Sequence, residues 1–104
     1  MNGDEIVGKA RDWRGAPVVL LGRTWGGKVL VDHPEMAWYL SAVWATVSRP
    51  GHVEADPVRR HRVRFYSCGV GLSKWLQVVV SYEQEPARII TAFAKRKDPP
   101  TWRK

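Results

Sequence analysis

The sequence predicts an α+β fold in which one main α-helix packs on a four- to five-stranded, mainly antiparallel sheet. Apolar residues fall at helical spacing once, from Met36 to Val47. Alternation of apolar and polar residues takes over afterwards, most clearly between Arg59 and Ser67, and Pro or Gly clusters bound the later apolar runs. The chain has 104 residues, the size of one domain. A lone amphipathic helix in such a domain must bury its stripe on one face of the sheet.

The elements follow in order. Residues 1–16 are polar, contain Gly3, Gly8 and Gly15 and have no clear period; they read as a loosely ordered N-terminal arm, with 17–104 forming a single α+β domain. Pro17 opens Val18-Val19-Leu20-Leu21, an apolar run of strand type. Trp25-Gly26-Gly27 signals a turn, and Lys28 to Val31 reads as a second strand or an extended lead-in. Pro34 suits the first helical position, which makes His33 the N-cap, with Asp32 a competing cap at capping-box distance from Glu35. Met36, Leu40, Val43 and Val47, joined by Trp44, form the core stripe of a helix over 34–48, and Pro50 ends it. Val53 to Asp56 is a short strand. In 59–67, Val63 and Phe65 lie on one face and Arg62, Arg64 and Tyr66 on the other. Cys68-Gly69-Val70-Gly71 is a hairpin signal. The run from Trp75 to Val80 has the nearly unbroken apolar character of a central strand. Arg88 to Lys95 is the last strand, with Ile89, Thr91, Phe93 and Lys95 on one side, and Pro99 and Pro100 stop it. With the helix on one sheet face, the other is left to present Arg and Tyr side chains as a concave basic surface.

Charge narrows the partners. Lys and Arg total 17 against 10 Asp and Glu, a net charge of +7. Arg59, Arg60, His61, Arg62 and Arg64 form one run; Lys95, Arg96, Lys97, Arg103 and Lys104 form another. Such patches attract phosphate backbones, although a basic surface also serves solubility alone. The lone Cys68 can form no internal disulfide and reads as a small buried residue of a protein in a reducing compartment. Charged residues interrupt the sequence after Met1 and no apolar run is long enough to span a bilayer, so a cytoplasmic protein without a membrane partner is expected.

The three His and one Cys are not at zinc-ligand spacing, and no phosphate-cradling glycine loop precedes a helix; no metal and no cofactor are expected. The remaining residues suit phosphodiester chemistry by side chains: Lys28, His33, Arg62, Arg64, Tyr66, Thr91 and Lys95. Cleaving RNA this way needs a base for the 2′-hydroxyl, an acid for the leaving oxygen and cations around the charged transition state. Each residue also has a plain structural reading. His33 serves as a cap, Arg62 and Arg64 as a solvated strand face, Tyr66 and Thr91 as strand formers, and Lys95 as an edge-strand charge. His52 and His61 read as surface residues.

The stretch from Trp25 through Asp32-His33-Pro34-Glu35-Met36 and the helix ending in Val47-Ser-Arg-Pro-Gly-His-Val53 resemble the opening of the phage-associated nucleases of the barnase–EndoU–colicin–RelE (BECR) group. Arg62-Val-Arg64-Phe-Tyr66, Trp75-Leu-Gln-Val-Val-Val80 and Ile89-Ile-Thr91-Ala-Phe93 are similar to that group's later motifs, in the same order, over residues 18 to 94. The resemblance implies a BECR-like fold and a metal-independent ribonuclease of the toxin or effector type. It further implies His33 as an acid–base residue, Arg64 as a phosphate ligand and Thr91 as a hydrogen-bonding partner, with Lys28 and Tyr66 completing the catalytic candidates. Arg62, Lys95, Arg96 and Lys97 are the candidates for nucleic-acid binding. The implied partners are RNA and an acidic antitoxin or immunity protein. One departure stands out: Lys28 occupies a position where members of the group tend to have His, and lysine is a poorer acid–base group near neutral pH. The alternative expectations are a non-catalytic nucleic-acid-binding or regulatory domain on the same scaffold, or a prophage protein that binds an acidic partner.

Overall fold

A computed structural model of the chain describes residues 5–71 and 73–103. Among the described residues six strands form one mixed sheet: β1 (Ile6–Arg11), β2 (Pro17–Leu21), β3 (His52–Ala55), β4 (Arg62–Cys68), β5 (Trp75–Ser81) and β6 (Ala87–Lys95). Their order is β1-β2-β6-β5-β4-β3, antiparallel throughout except for the parallel β2–β6 pair. The architecture is α+β, with more strands than the expected four or five. The extra strand is β1, in a segment that reads from sequence as an arm.

The glycine that hides β1 in the sequence also explains its packing. A Cβ on Gly8 would lie 2.6 Å from Cζ2 of Trp44, so only glycine lets the helix come this close to the strand. The β1–β2 turn is held by Asp12. Its carboxylate accepts the backbone N–H of Arg14 and Ala16 and the Tyr82 hydroxyl, and Gly15 supplies the positive φ of 88°.

Between β2 and β3 the chain is helical. Segment α1 comprises Gly22–Thr24, a π-helical stretch Trp25–Val29, and Leu30–Asp32. This corrects the strand expected at Lys28–Val31. Four apolar-rich residues fit a strand or a helical turn equally, and here only Val29 of the four is fully buried, while Val31 is exposed. The helix expected over 34–48 is also divided. Pro34–Trp38 forms a 3-10 turn, Tyr39 departs from helical geometry (φ −119°, ψ 19°), and α2 runs over Leu40–Ser48. His33 therefore precedes a short 3-10 turn, and its side chain makes no capping hydrogen bond. The stripe survives the break: Met36, Val43 and Val47 are buried, with Leu40 and Trp44 packed beside them.

The stripe covers one sheet face, made by Val18 and Leu20 of β2, Phe65 of β4, Leu76, Val78 and Val80 of β5, and Ile89 and Ala92 of β6. The Thr46 and Ser67 hydroxyls, 2.8 Å apart, tie α2 to β4. A register shift between Val79 and Val80 resets β6: Val80 pairs with Ile89 but Val79 pairs with Thr91. Ile89 thus points into the core while Thr91, Phe93 and Lys95 point to the opposite face. The expected single side for all four is corrected by this bulge. Cys68, expected to be buried, is exposed at the end of β4. Among the described residues no helix is long and apolar enough to cross a membrane.

Candidate functional site

The face away from α2 carries most of the residues that the sequence marks for chemistry. Alternation along β4 sends Arg62, Arg64 and Tyr66 there, and register pairs them with β5 and β6 in rows. One row reads Glu54, Arg64, Val79, Thr91; the next reads His52, Tyr66, Gln77, Phe93. His33 joins from the end of α1. Its ring stacks on Phe93 with centroids 5.4 Å apart and planes at 27°. It stays half-buried, with Nδ1 3.7 Å from Glu35 Oε1. His33 therefore reaches the β6 side of this face at Phe93, two residues along the strand from Thr91.

Arg64 does not join them directly. It lies two strands from Thr91, roughly 10 Å at about 4.8 Å per strand, and two carboxylates hold it. Its guanidinium is 3.5 Å from Glu54 and 3.4 Å from Asp56. Tyr66 is fully buried, and its hydroxyl donates to Glu54 Oε1 at 3.0 Å. Burial, with the Glu54 carboxylate beside it, pushes the phenol up to about 12, so Tyr66 stays protonated and engaged at neutral pH. Lys28 is exposed on the π-helical stretch of α1, which packs beside β6. Lys95 leans its ammonium over the Tyr66 ring at 5.8 Å, and Arg96 and Lys97 are exposed just beyond the strand.

The open face is not bare. Beyond β6 the chain folds back over its β3–β5 end. Trp102 packs edge-on against Trp75 (4.9 Å) and His52 (5.4 Å), and the Trp75 indole donates to Asp98. Thr101 donates both its backbone N–H (3.1 Å) and its hydroxyl (2.5 Å) to Glu54 Oε2. Glu54 is thereby the hub of a buried network that also takes in His52 and Arg64. Burial alone would raise its pKa, but the bonds from Thr101, Tyr66 and His52 outweigh that and hold the carboxyl below its ordinary 4.5. The concave basic surface expected from sequence is thus replaced at this end by a capped, charge-neutralised one.

Sequence reasoning missed several residues. Arg88 shares the open face with Thr91 because of the bulge at Ile90. The adjacent apolar pair Ile89-Ile90, which breaks the alternation, was the available signal. Gln77, buried between Tyr66 and Phe93, has an Oε1 without a hydrogen-bond partner among the described residues, and nothing in an apolar strand pattern announces it. Comparison of the chain with protein-family profiles, with curated proteins and with solved structures finds no match.

Proposed function

We propose that the chain is a metal-independent endoribonuclease of BECR-like type, with His33 as its principal acid–base group. The observation that carries this reading is the stack of His33 on Phe93 beside Thr91, on a sheet face rich in cations. A half-buried imidazole oriented by a ring and flanked by a carboxylate is a poor choice for a helix cap, which here it does not form. Its ring nitrogens can accept and give up protons, the two roles that acid–base cleavage of RNA needs.

In this reading His33 takes the proton of the 2′-hydroxyl, whose oxygen attacks phosphorus. The bond from phosphorus to the 5′-oxygen breaks, and that oxygen leaves with a proton from a second group, for which the exposed Lys28 is the candidate. The products are a 2′,3′-cyclic phosphate and a 5′-hydroxyl. The Thr91 hydroxyl hydrogen-bonds a non-bridging oxygen, while cations of the open face offset the charge that builds up on the phosphate. Toxin or effector action on cytoplasmic RNA, restrained by an acidic antitoxin or immunity protein, is the biological setting of this proposal.

A second reading, a non-catalytic RNA-binding domain, is favoured by the two carboxylates that neutralise Arg64 and by Lys28 standing where the group tends to have His. One experiment separates them. With a chelator present, the wild-type protein should cut RNA, and His33→Ala should cut it about a hundredfold to ten-thousandfold more slowly with an unchanged circular dichroism spectrum. Salt-dependent RNA binding by a wild-type protein that cuts nothing would select the binding domain instead.

A further inference from the structure

A row of cations crosses the open face at right angles to the strands. Lys9 of β1 pairs with Val19 of β2, Val19 with Arg88 of β6, Arg88 with Ser81 of β5, and Ser81 with Arg62 of β4. Five strands thus bring Lys9, Arg88 and Arg62 into one line, each two strands from the next, or roughly 10 Å at about 4.8 Å per strand. Among the described residues none of the three makes an ion pair, whereas Arg64, one row away, has two. Between Lys9 and Arg88 the floor is apolar, whereas the buried Ser81 lies between Arg88 and Arg62. Ile6, Val19 and Pro86 line two adjoining hollows of about 350 and 490 Å³, one reaching Arg88 and the other Lys9.

We infer that this row is the phosphate track of a single-stranded RNA, which crosses the sheet perpendicular to the strands with its bases turned toward the apolar floor. The inference rests on the ribonuclease reading and adds to it the form and path of the substrate. Solubilising charge is normally interspersed with charge of the other sign. Three cations in line without an ion pair among the described residues, with a hydrophobic floor between Lys9 and Arg88, instead match a chain that alternates phosphate with apolar ring. An A-form duplex keeps its bases stacked inside and offers only sugar and phosphate to a surface, so it leaves the floor unused. A single strand uses both, as in stacking grooves that follow a charged backbone. The track lies beside Thr91, since Arg88 is the residue of β6 that precedes it on this face.

The test uses the full chain carrying His33→Ala, so that binding is read without cleavage, with a labelled single-stranded RNA and a duplex of the same sequence. Single strands lose affinity with salt at a slope of about −0.7 per neutralised phosphate, so three contacts give a slope near −2. Lys9→Ala, Arg88→Ala and Arg62→Ala should each weaken single-strand binding about tenfold and make the slope shallower by about 0.7. Arg49→Ala, on the helix side, should change neither. Equal affinity for the duplex, or a slope unchanged in Lys9→Ala and Arg88→Ala, overturns the track. If the wild-type chain cuts RNA, and Lys9→Ala and Arg88→Ala made in the wild-type chain keep its KM, the track fails and the ribonuclease reading stands. If the wild-type chain binds single-stranded RNA with the expected slope and cuts none, the track stands and the catalytic reading fails.

Discussion

Replacing Glu54 by glutamine removes the charge at the centre of the buried network without changing its shape. The carboxylate serves two groups of donors. Oε1 takes the Tyr66 hydroxyl at 3.0 Å and faces Arg64 at 3.5 Å; Oε2 takes Thr101 twice, at 2.5 and 3.1 Å, and faces His52 at 3.4 Å. An amide has one acceptor end, so in either orientation its NH2 confronts one of those groups. Hydrogen bonds to a charged group contribute about 1.5–3 kcal/mol each, and breaking a fully buried pair costs about 3–5 kcal/mol. Arg64 keeps Asp56 at 3.4 Å, which limits the loss to about 2–4 kcal/mol. For a domain of this size that lowers Tm by about 8–16 °C. The pH dependence gives an independent check. The folded carboxyl titrates below its ordinary 4.5, so the stability it adds is complete above that value and is lost as pH falls through the lower, folded pKa. Urea unfolding of wild type and Glu54→Gln should differ most at neutral pH and converge as pH falls below 4.5. A difference under about 1 kcal/mol at pH 7, or one that stays constant into acid, would refute the assigned role of the network.

Two further outcomes follow from packing and exposure. Gly8→Ala sets a methyl group 2.6 Å from the Trp44 indole, so the ring must move and stability should fall by about 1–3 kcal/mol; an unchanged urea midpoint would mean that Trp44 does not anchor β1. Cys68 is exposed at the end of β4, so a thiol reagent should modify it in the native protein without any unfolding step, and protection released only by denaturant would contradict that exposure.

The parts of the fold that sequence made legible are those where one period dominates. The stripe Met36, Val43, Val47 and the alternation of Val63 and Phe65 with Arg62, Arg64 and Tyr66 point as expected, because burial on one side alone produces each pattern. What failed depends on contacts between distant segments. Gly8 lowers the strand signal of β1 locally, and its cause is an indole 36 residues away in sequence, Trp44 against Gly8. Lys28 to Val31 is too short for its period to be read, and its helical form follows from packing beside β6. The stack of His33 on Phe93 was not visible either; only the fold brings the end of α1 to that strand.

Charge shows the same division more sharply. The sequence gives equal formal weight to Arg62, Arg64 and Arg88, yet the fold assigns them different electrostatic surroundings. Glu54 and Asp56 come from β3 and the loop after it, and they meet Arg64 because β3 pairs with β4 in the register Glu54–Arg64. A shift of one residue in that pairing would turn Glu54 toward the helix side and leave Arg64 unpaired. Arg88 owes its place to the opposite kind of event, the extra residue at Ile90 that sets Arg88 and Thr91 on one face. The charge distribution on this face of the sheet is therefore a property of two registers: one sets Glu54 beside Arg64 at the β3–β4 end, and the other sets Arg88 on the open face of β6.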